Sequence, residues 1–139
     1  MKQKKYNSIY IKMTEENHSK GKHLLAEITC LNSKNLDNVA FIKKLFNDII
    51  KDLKLTLIAP PKLFKFPPPG NGITGYCVIS ESHISIHTWP EKNYFSFDIF
   101  SCRTFDEKII EKILNESFQI KNCNKTILKR GLNIGFLKS

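Results

Sequence analysis

The chain has 139 residues, of which 41% are apolar and 25% are charged, as expected for one globular domain with a single hydrophobic core. No apolar run approaches the ~18 residues of a membrane span, and the polar N-terminus lacks the apolar core of a secretory signal. The net charge is +9, but the basic residues are spread along the chain without an aromatic-basic motif. A lysine-rich soluble surface is therefore favoured over nucleic-acid binding. The cysteines at 30, 77, 102 and 123 are widely spaced without a CxxC pair, which favours a reduced cytoplasmic protein over a disulfide framework.

The first part of the chain predicts a strand followed by a helix. Residues 1–19 form a polar N-terminal extension in which "YNSIYIKM" indicates a short β segment, and His23–Leu31 has the alternation of a strand. Within "NLDNVAFIKKLFNDIIKDL", Asp37 near the start suits the positive end of a helix dipole. Apolar residues then recur at steps of three and four and predict one buried stripe: Val39, Ile42, Leu45, Phe46, Ile49, Ile50 and Leu53.

The middle of the chain predicts strands interrupted by a proline-rich segment. Leu55–Ala59 favours a second strand, and five prolines and two glycines within Pro60–Gly72 then predict a long loop. The β runs "ITGYCVIS" and "HISIHTW" flank Glu81–Ser82, and Tyr94–Phe100 alternates as a half-buried strand does.

The last part predicts a second helix and a final strand. Thr104 with Glu107 matches a capping box, and the apolar residues of the helix that follows are Ile109, Ile110, Ile113, Leu114 and Phe118. The segment "KTILKRGLNIGF" favours a strand. Short connections predict a single domain over residues 20–139 with an α+β fold: a two-layer sandwich whose mainly antiparallel sheet carries two helices on one face.

Three kinds of site are disfavoured by spacing. His83 and His87 have the i, i+4 spacing of a helical zinc pair, but on a strand their rings lie ~13 Å apart and cannot share one metal ion; no metal site is predicted. The chain has no GxSxG motif of a hydrolase. The segment "PPPGNGITG" lacks the lysine and the strand–helix context of a phosphate-binding loop.

The stretch "SESHISIHTWPE", residues 80–91, combines hydroxyl, imidazole and carboxylate groups with the single tryptophan. A serine hydroxyl can attack the carbonyl that precedes it when the peptide bond is strained and a donor stabilises the oxyanion. β-Elimination from the resulting ester frees the upstream chain, and hydrolysis leaves a pyruvoyl group. That ketone can form a Schiff base with an amine and withdraw electrons as pyridoxal phosphate does. For an isolated Glu-Ser pair, however, a plain β-turn is the commoner explanation.

A longer pattern favours the chemical explanation. "GITGYCVISESHISIHTWPE", followed by "FDIFSC", resembles the core of the prokaryotic S-adenosylmethionine decarboxylases, which are small pyruvoyl enzymes made as self-cleaving proenzymes. The resemblance covers roughly Lys20 to Phe118. It implies cleavage between Glu81 and Ser82 into a β chain of residues 1–81 and an α chain of residues 82–139, with the pyruvoyl cofactor derived from Ser82.

The resemblance also implies roles for further residues. His87 matches the histidine that helps remove the serine α-proton during processing, Thr74 matches a hydroxyl residue that assists processing, and Cys102 matches the proton donor to the decarboxylated carbon. These types suit the chemistry, because histidine exchanges protons near neutrality and a thiol can give up a proton.

The implied substrate contacts are Glu91 for the ribose hydroxyls and Trp89 with Phe66 near the adenine, Phe64 being an alternative to Phe66. The loop "FKFPPPGNGITG" departs from the shorter segment of the relatives. Some members of the wider family use the same pyruvoyl chemistry on arginine or ornithine. The different loop leaves open such a change of substrate.

The expected protein is thus a cytoplasmic, self-processing decarboxylase of polyamine synthesis that acts on S-adenosylmethionine as a homodimer of αβ units, with sites at the interface. A more distant alternative is a non-catalytic basic binding module. Ser82 and His87 have opposite parity, so a straight strand would point them to opposite faces; the junction is therefore expected to bend.

Overall fold

The computed structural model describes residues 5–10 and 21–131, the first range as backbone. It contains seven strands, two α-helices and one short 3₁₀ turn in the described residues. In chain order these are β1 (Lys5–Tyr10), β2 (Gly21–Cys30), α1 (Val39–Asp52), β3 (Lys62–Lys65), β4 (Ile73–Ile79), β5 (Ser82–Trp89), the 3₁₀ turn (Pro90–Lys92), β6 (Tyr94–Ser101), α2 (Glu107–Ser117) and β7 (Ile120–Arg130).

The strands form one sheet in the order β1-β7-β2-β6-β5-β4-β3. Every neighbouring pair is antiparallel except β1 and β7, which run parallel. The mainly antiparallel α+β sandwich predicted from the sequence is confirmed. Neither described helix has the length and apolar character of a membrane span.

One face of the sheet is buried against the two helices. On β5 the residues Ile84, Ile86 and Thr88 are buried, while the residues between them are half-exposed. Helix α1 supplies a buried stripe that includes Phe46 and Ile49, and α2 supplies Ile110, Ile113 and Leu114 to the same core. The buried side chains on alternate strand positions thus pack against the apolar stripes of the two helices in one hydrophobic layer.

The opposite side of the sheet carries no helix in the described residues, and we call it the open face. It is formed by the outward side chains of β5 together with their register partners on β4 and β6, because residues opposite one another on neighbouring strands project to the same side. These outward residues are His83, Ser85, His87 and Trp89 on β5, Thr74, Tyr76 and Val78 on β4, and Tyr94, Ser96, Asp98 and Phe100 on β6.

Each helix begins at a capping residue that the sequence prediction did not select. The side chain of Asn38, which follows Asp37, caps α1 by accepting a hydrogen bond from the Phe41 amide at 3.0 Å. The predicted capping box of Thr104 with Glu107 is wrong, since Asp106 caps α2 through the Lys108 amide at 2.9 Å. Asparagine and aspartate are at least as effective as threonine in this role, so the residue nearer the first turn takes it.

The structure of residues 55–72 also differs from the sequence prediction. The strand expected over Leu55–Ala59 is reduced to an isolated bridge between Leu57 and Ile79. The loop expected over Pro60–Gly72 contains edge strand β3, because Lys62–Lys65 lies between the prolines and pairs only with β4. The final strand begins earlier than predicted, at Ile120; the ends of the predicted segments "YNSIYIKM" and "KTILKRGLNIGF" lie outside the described residues.

Candidate active site

The Glu81–Ser82 bond lies at a tight turn between two paired strands. Ile79 pairs with Ser82, so only Ser80 and Glu81 connect β4 to β5. Ser82 has a φ of 157°, a region that is costly for a residue with a Cβ atom. The chain therefore turns directly before Ser82, but β5 is unbroken from Ser82 onward, so this turn does not bring Ser82 to the face of His87.

The carbonyl group of Glu81 is hydrogen-bonded from the neighbouring strand end. The backbone amide of Cys102 donates to the Glu81 oxygen at 2.8 Å. Cys102 directly follows Ser101, the register partner of Ser82, so strand pairing fixes this contact. A donor at this oxygen is the feature that stabilises negative charge when a nucleophile adds to the carbonyl carbon.

The side chain of Glu81 is anchored as well. It is 3% exposed, accepts a hydrogen bond from the Thr56 amide at 3.1 Å and forms an ion pair with the Arg103 guanidinium. Burial alone would raise the pKa of this carboxyl, but the hydrogen bonds, including those from Thr56 and Arg103, hold the pKa below its usual value. Glu81 is consequently an anion held in a fixed position.

Cys102 differs from the other cysteines. Burial raises the pKa of Cys30 and of Cys123 to about 11 and raises that of Cys77, which keeps these thiols protonated and inert. Cys102 is only half-buried. The cysteine chosen from the sequence is thus the one of the four with solvent access, and it lies beside the Glu81–Ser82 bond.

His87 lies farther along the open face with Thr74 and two aromatic rings. Its Nδ1 atom is 3.3 Å from the Thr74 hydroxyl oxygen, across a register pair of β4 and β5. The Trp89 ring centroid lies 6.4 Å from that of His87 and 5.3 Å from that of Tyr94. The structure thus brings together His87, Thr74 and Trp89, and it adds Tyr94, which the sequence analysis did not select.

The other substrate-contact candidates are less closely gathered. Phe64 pairs with Thr74 in register and therefore shares the open face, with its side chain 57% exposed. Phe66 lies past the end of β3, hydrogen-bonded through its amide to the Gly72 oxygen at 2.9 Å. Glu91 is exposed in the 3₁₀ turn that follows Trp89.

Sequence reasoning missed a polar cluster at the middle of the open face. One Asp98 oxygen lies 2.8 Å from the His23 Nε2 atom and 2.9 Å from the His83 Nε2 atom, and Ser85 donates to the other oxygen. Burial would raise the pKa of Asp98, but these partners lower it to about 2. Alternation places each residue on this face, but their convergence needs the pairing of three strands.

By ligand type this cluster could hold a metal ion, since its ligand atoms lie within 4.8 Å of one another. Two features favour a hydrogen-bonded network instead. Both carboxylate oxygens of Asp98 already accept hydrogen bonds, and the Arg130 guanidinium lies 3.3 Å from the Nδ1 atom of His23, where its charge opposes a second cation.

Ser82 and His87 do not meet within one chain. They are separated by five residues of one strand, which corresponds to ~16 Å at ~3.3 Å per residue. Ser82 also has the parity of Ile84 and Ile86, which face the helices. The junction with Cys102, and His87 with Thr74 and Trp89, are therefore two separate groups of candidate residues within one chain.

Comparison with known proteins identifies the family of the chain. The sequence model of the S-adenosylmethionine decarboxylase family matches residues 22–131. The S-adenosylmethionine decarboxylase proenzyme of Methanococcus aeolicus is 45% identical over 82 residues, which span 59% of this chain and 68% of that protein. The proenzyme of the same name from Clostridium botulinum Loch Maree is 37% identical over 113 residues, or 80% and 94% of the two chains.

A solved structure shows the same fold. The crystal structure of the adenosylmethionine decarboxylase from Aquifex aeolicus superimposes with a TM-score of 0.69 at 27% identity, covering 87% of this chain and 98% of that one. Fold and sequence match thus agree. The chain belongs to the S-adenosylmethionine decarboxylase family.

Proposed function

We propose that the chain is a proenzyme that cleaves itself between Glu81 and Ser82 and then decarboxylates S-adenosylmethionine to the aminopropyl donor of polyamine synthesis. The observation that carries the proposal is the junction itself. The carbonyl of Glu81 accepts a hydrogen bond from Cys102, and the next residue is a serine with an unfavourable backbone angle. A plain turn requires neither feature.

The cleavage chemistry follows from these groups. The Ser82 oxygen bonds to the Glu81 carbonyl carbon, the C–N bond breaks and the hydroxyl proton passes to the Ser82 nitrogen, which gives an ester. A base then removes the α-proton of Ser82. The bond between the Ser82 oxygen and the β-carbon breaks, and the main chain of Glu81 leaves as a carboxylate. Water hydrolyses the resulting enamine with release of ammonia, so that residues 1–81 end in a carboxylate and residues 82–139 begin with a pyruvoyl group.

The residues proposed for the site, those at the junction and those at the far end of β5, suit a pyruvoyl group and its substrate. Once formed, this group draws electrons from the carbon that loses CO₂. The Cys102 thiol, beside the junction and accessible, supplies the proton that this carbon then takes up. Trp89 and Tyr94 present a flat surface suited to a purine or a sulfonium cation, and the Glu91 carboxylate can accept hydrogen bonds from two ribose hydroxyls.

His87 must act on the Ser82 of a second copy, because it is ~16 Å from the serine of its own chain. The open face suits such a partner. It carries large exposed apolar side chains, among them Leu25, Phe64, Tyr76 and Val78, and surrounds a cavity of about 520 Å³ lined by Leu25, Asp98 and Leu128 among others. A two-fold arrangement pairs each junction with the other copy's His87 and yields two equivalent sites.

The aromatic lining supports S-adenosylmethionine over arginine or ornithine, which offer no flat base to stack. We place the enzyme in the cytoplasm, where its four thiols stay reduced.

Cleavage is tested by intact mass and denaturing gel electrophoresis of the purified protein. We expect two fragments, the one beginning at residue 82 lacking a free amino terminus. Ser82→Ala must remain a single 16.1 kDa chain, whereas Ser85→Ala, a change to a serine of the same strand away from the junction, must still cleave. Release of labelled CO₂ from S-adenosylmethionine, arginine or ornithine decides the substrate. Cleavage of Ser82→Ala, or a wild-type chain that stays intact, would refute the proposal.

The second copy is tested by co-expressing Ser82→Ala with His87→Ala under separate affinity tags. Neither variant alone completes processing. In the mixed dimer, the intact Ser82 of one chain meets the intact His87 of the other, so the His87→Ala chain is expected to be cleaved. If that chain stays uncleaved in a purified mixed dimer, the two residues act within one chain and the arrangement proposed here is wrong.

A further inference from the structure

Glu81 is held at two points by one short segment of chain. Its main-chain oxygen accepts from the Cys102 amide, and its carboxylate pairs with Arg103. The preceding residue, Ser101, is the register partner of Ser82, and its hydroxyl accepts from the Arg103 amide at 3.0 Å. Three consecutive residues, the last of β6 and the two that follow it, thus contact the two residues that flank the bond.

The ion pair has the character of an anchor. The Glu81 carboxylate is 3% exposed, while the Arg103 side chain is 58% exposed. A buried carboxylate that lost its cation would retain hydrogen bonds from the Thr56 amide, its own amide and the Ser80 side chain, but no opposite charge would compensate its own. Movement of Glu81 away from this position is therefore opposed at the side chain, and rotation of the adjoining carbonyl is opposed with it.

We propose that Arg103 is a positioning residue for chain cleavage: by holding the Glu81 side chain, it keeps the scissile carbonyl aligned on the Cys102 amide. The inference rests on the proposed function, since it concerns the same bond. Arg103 touches no reacting atom and keeps its protons throughout. The Ser82 oxygen forms the new bond, and the carbonyl oxygen gains negative charge where the Cys102 amide already points. Preorganised donors of this kind accelerate a reaction because they need no rearrangement in the transition state.

The test follows cleavage in time after cell-free synthesis of the full chain, by denaturing gel electrophoresis. Arg103→Met removes the charge and keeps the stem, and we expect cleavage to slow about tenfold, the effect of a lost charge-assisted contact. Arg103→Lys restores a cation and is expected to recover most of the rate. Lys44→Met is the control, since Lys44 forms an exposed ion pair with Asp48 on α1, and it should cleave at the wild-type rate.

A double-mutant comparison separates positioning from general stability. If Arg103 acts through Glu81, Glu81→Gln combined with Arg103→Met cleaves no more slowly than the slower single variant. The thermal midpoint of each variant is measured in the uncleavable Ser82→Ala chain. If Arg103→Met proves unfolded there, Arg103→Gln replaces it and must cleave more slowly than Arg103→Lys at matched thermal midpoints.

The outcomes are distinguishable from failure of the proposed function. An uncleaved wild-type chain overturns the proposed function and this inference together. If the wild-type chain cleaves and Arg103→Met cleaves at the same rate, only the inference about Arg103 is overturned. Cleavage rates that follow the thermal midpoints of the variants also overturn the inference. So does a double variant whose loss of cleavage rate equals the product of the losses in Glu81→Gln and Arg103→Met.

Discussion

The Asp98 network on the open face makes a quantitative prediction about stability. Asp98 accepts hydrogen bonds from Ser85, His23 and His83, and these partners lower its pKa from 3.8 to about 2 despite the opposing effect of burial. A lowering of close to two units corresponds to about 2–3 kcal/mol of stabilisation at neutral pH, at ~1.4 kcal/mol per unit. Since the side chain is 22% exposed, solvent screening makes this an upper value.

The pH dependence has a definite sign. A carboxyl whose folded-state pKa is depressed stabilises the protein above its unfolded-state pKa and loses that contribution as the pH falls through the folded-state value. For Asp98 the contribution is complete above pH ~5, about half remains at pH ~3, and most is gone at pH ~2. Asp98→Asn removes the titrating group, so the gap in stability between the two proteins should shrink over the same interval.

The assay is urea unfolding at a series of pH values between 7 and 2, with both proteins in the Ser82→Ala background so that cleavage does not intervene. Other carboxyl groups titrate equally in the two proteins and cancel in the difference. We expect Asp98→Asn to be less stable by about 2 kcal/mol at pH 7 and by about half of that near pH 3. A gap that stays constant down to pH 2 would show that the carboxylate charge is not what the network stabilises.

Three further changes test local features by urea unfolding of the uncleavable chain. Thr88→Val removes a buried hydroxyl that donates to the Leu36 oxygen at 2.6 Å and accepts from the Ile73 amide at 2.8 Å, so a loss of about 2–4 kcal/mol is expected; a loss below ~1 kcal/mol would mean that both groups find other partners. Gly72→Ala places a Cβ atom 2.2 Å from the Thr88 carbonyl oxygen and should destabilise the protein, since backbone cannot yield as a side chain can; full stability would contradict the close approach. Ser82→Gly should be more stable than Ser82→Ala by about 1 kcal/mol, because glycine tolerates the φ of this position; the reverse order would mean that the angle is not strained.

Local sequence patterns predicted those elements whose signals are themselves local. The three- and four-residue spacing of the α1 stripe and the alternation of β5 and β6 depend on neighbours within a few residues, and each element was found. The cap of α2 was predicted at the wrong residue because two residues able to cap a helix, Thr104 and Asp106, lie close together. Which residue caps the helix depends on which side chain reaches an unpaired amide of the first turn, and residue type alone does not determine this.

The anchoring contacts of the site could not be predicted, because they join distant positions. His23 and Asp98 are 75 residues apart, and Glu81 and Arg103 are 22 apart. Their meeting follows from strand order and register, which depend on the whole sheet. The family resemblance selected Ser82, His87 and Cys102 by type. That Ser82 and His87 lie apart within one chain depends on β5 being unbroken from Ser82 to Trp89, which residue types do not predict.

The backbone at Ser82 relates the fold to the proposed chemistry. A side chain at a φ of 157° costs on the order of 1–3 kcal/mol, and glycine would remove the cost but would also remove the nucleophile. The position thus requires a hydroxyl in a conformation that only glycine adopts freely, while the pairing of Ile79 with Ser82 and of Ser82 with Ser101 holds the residue there. Breaking the bond to Glu81 abolishes the φ torsion itself, since no carbonyl carbon then precedes the nitrogen. Cleavage therefore relieves the strain. The strand pairing that holds Ser82 in place raises the energy of the intact chain but not that of the cleaved product.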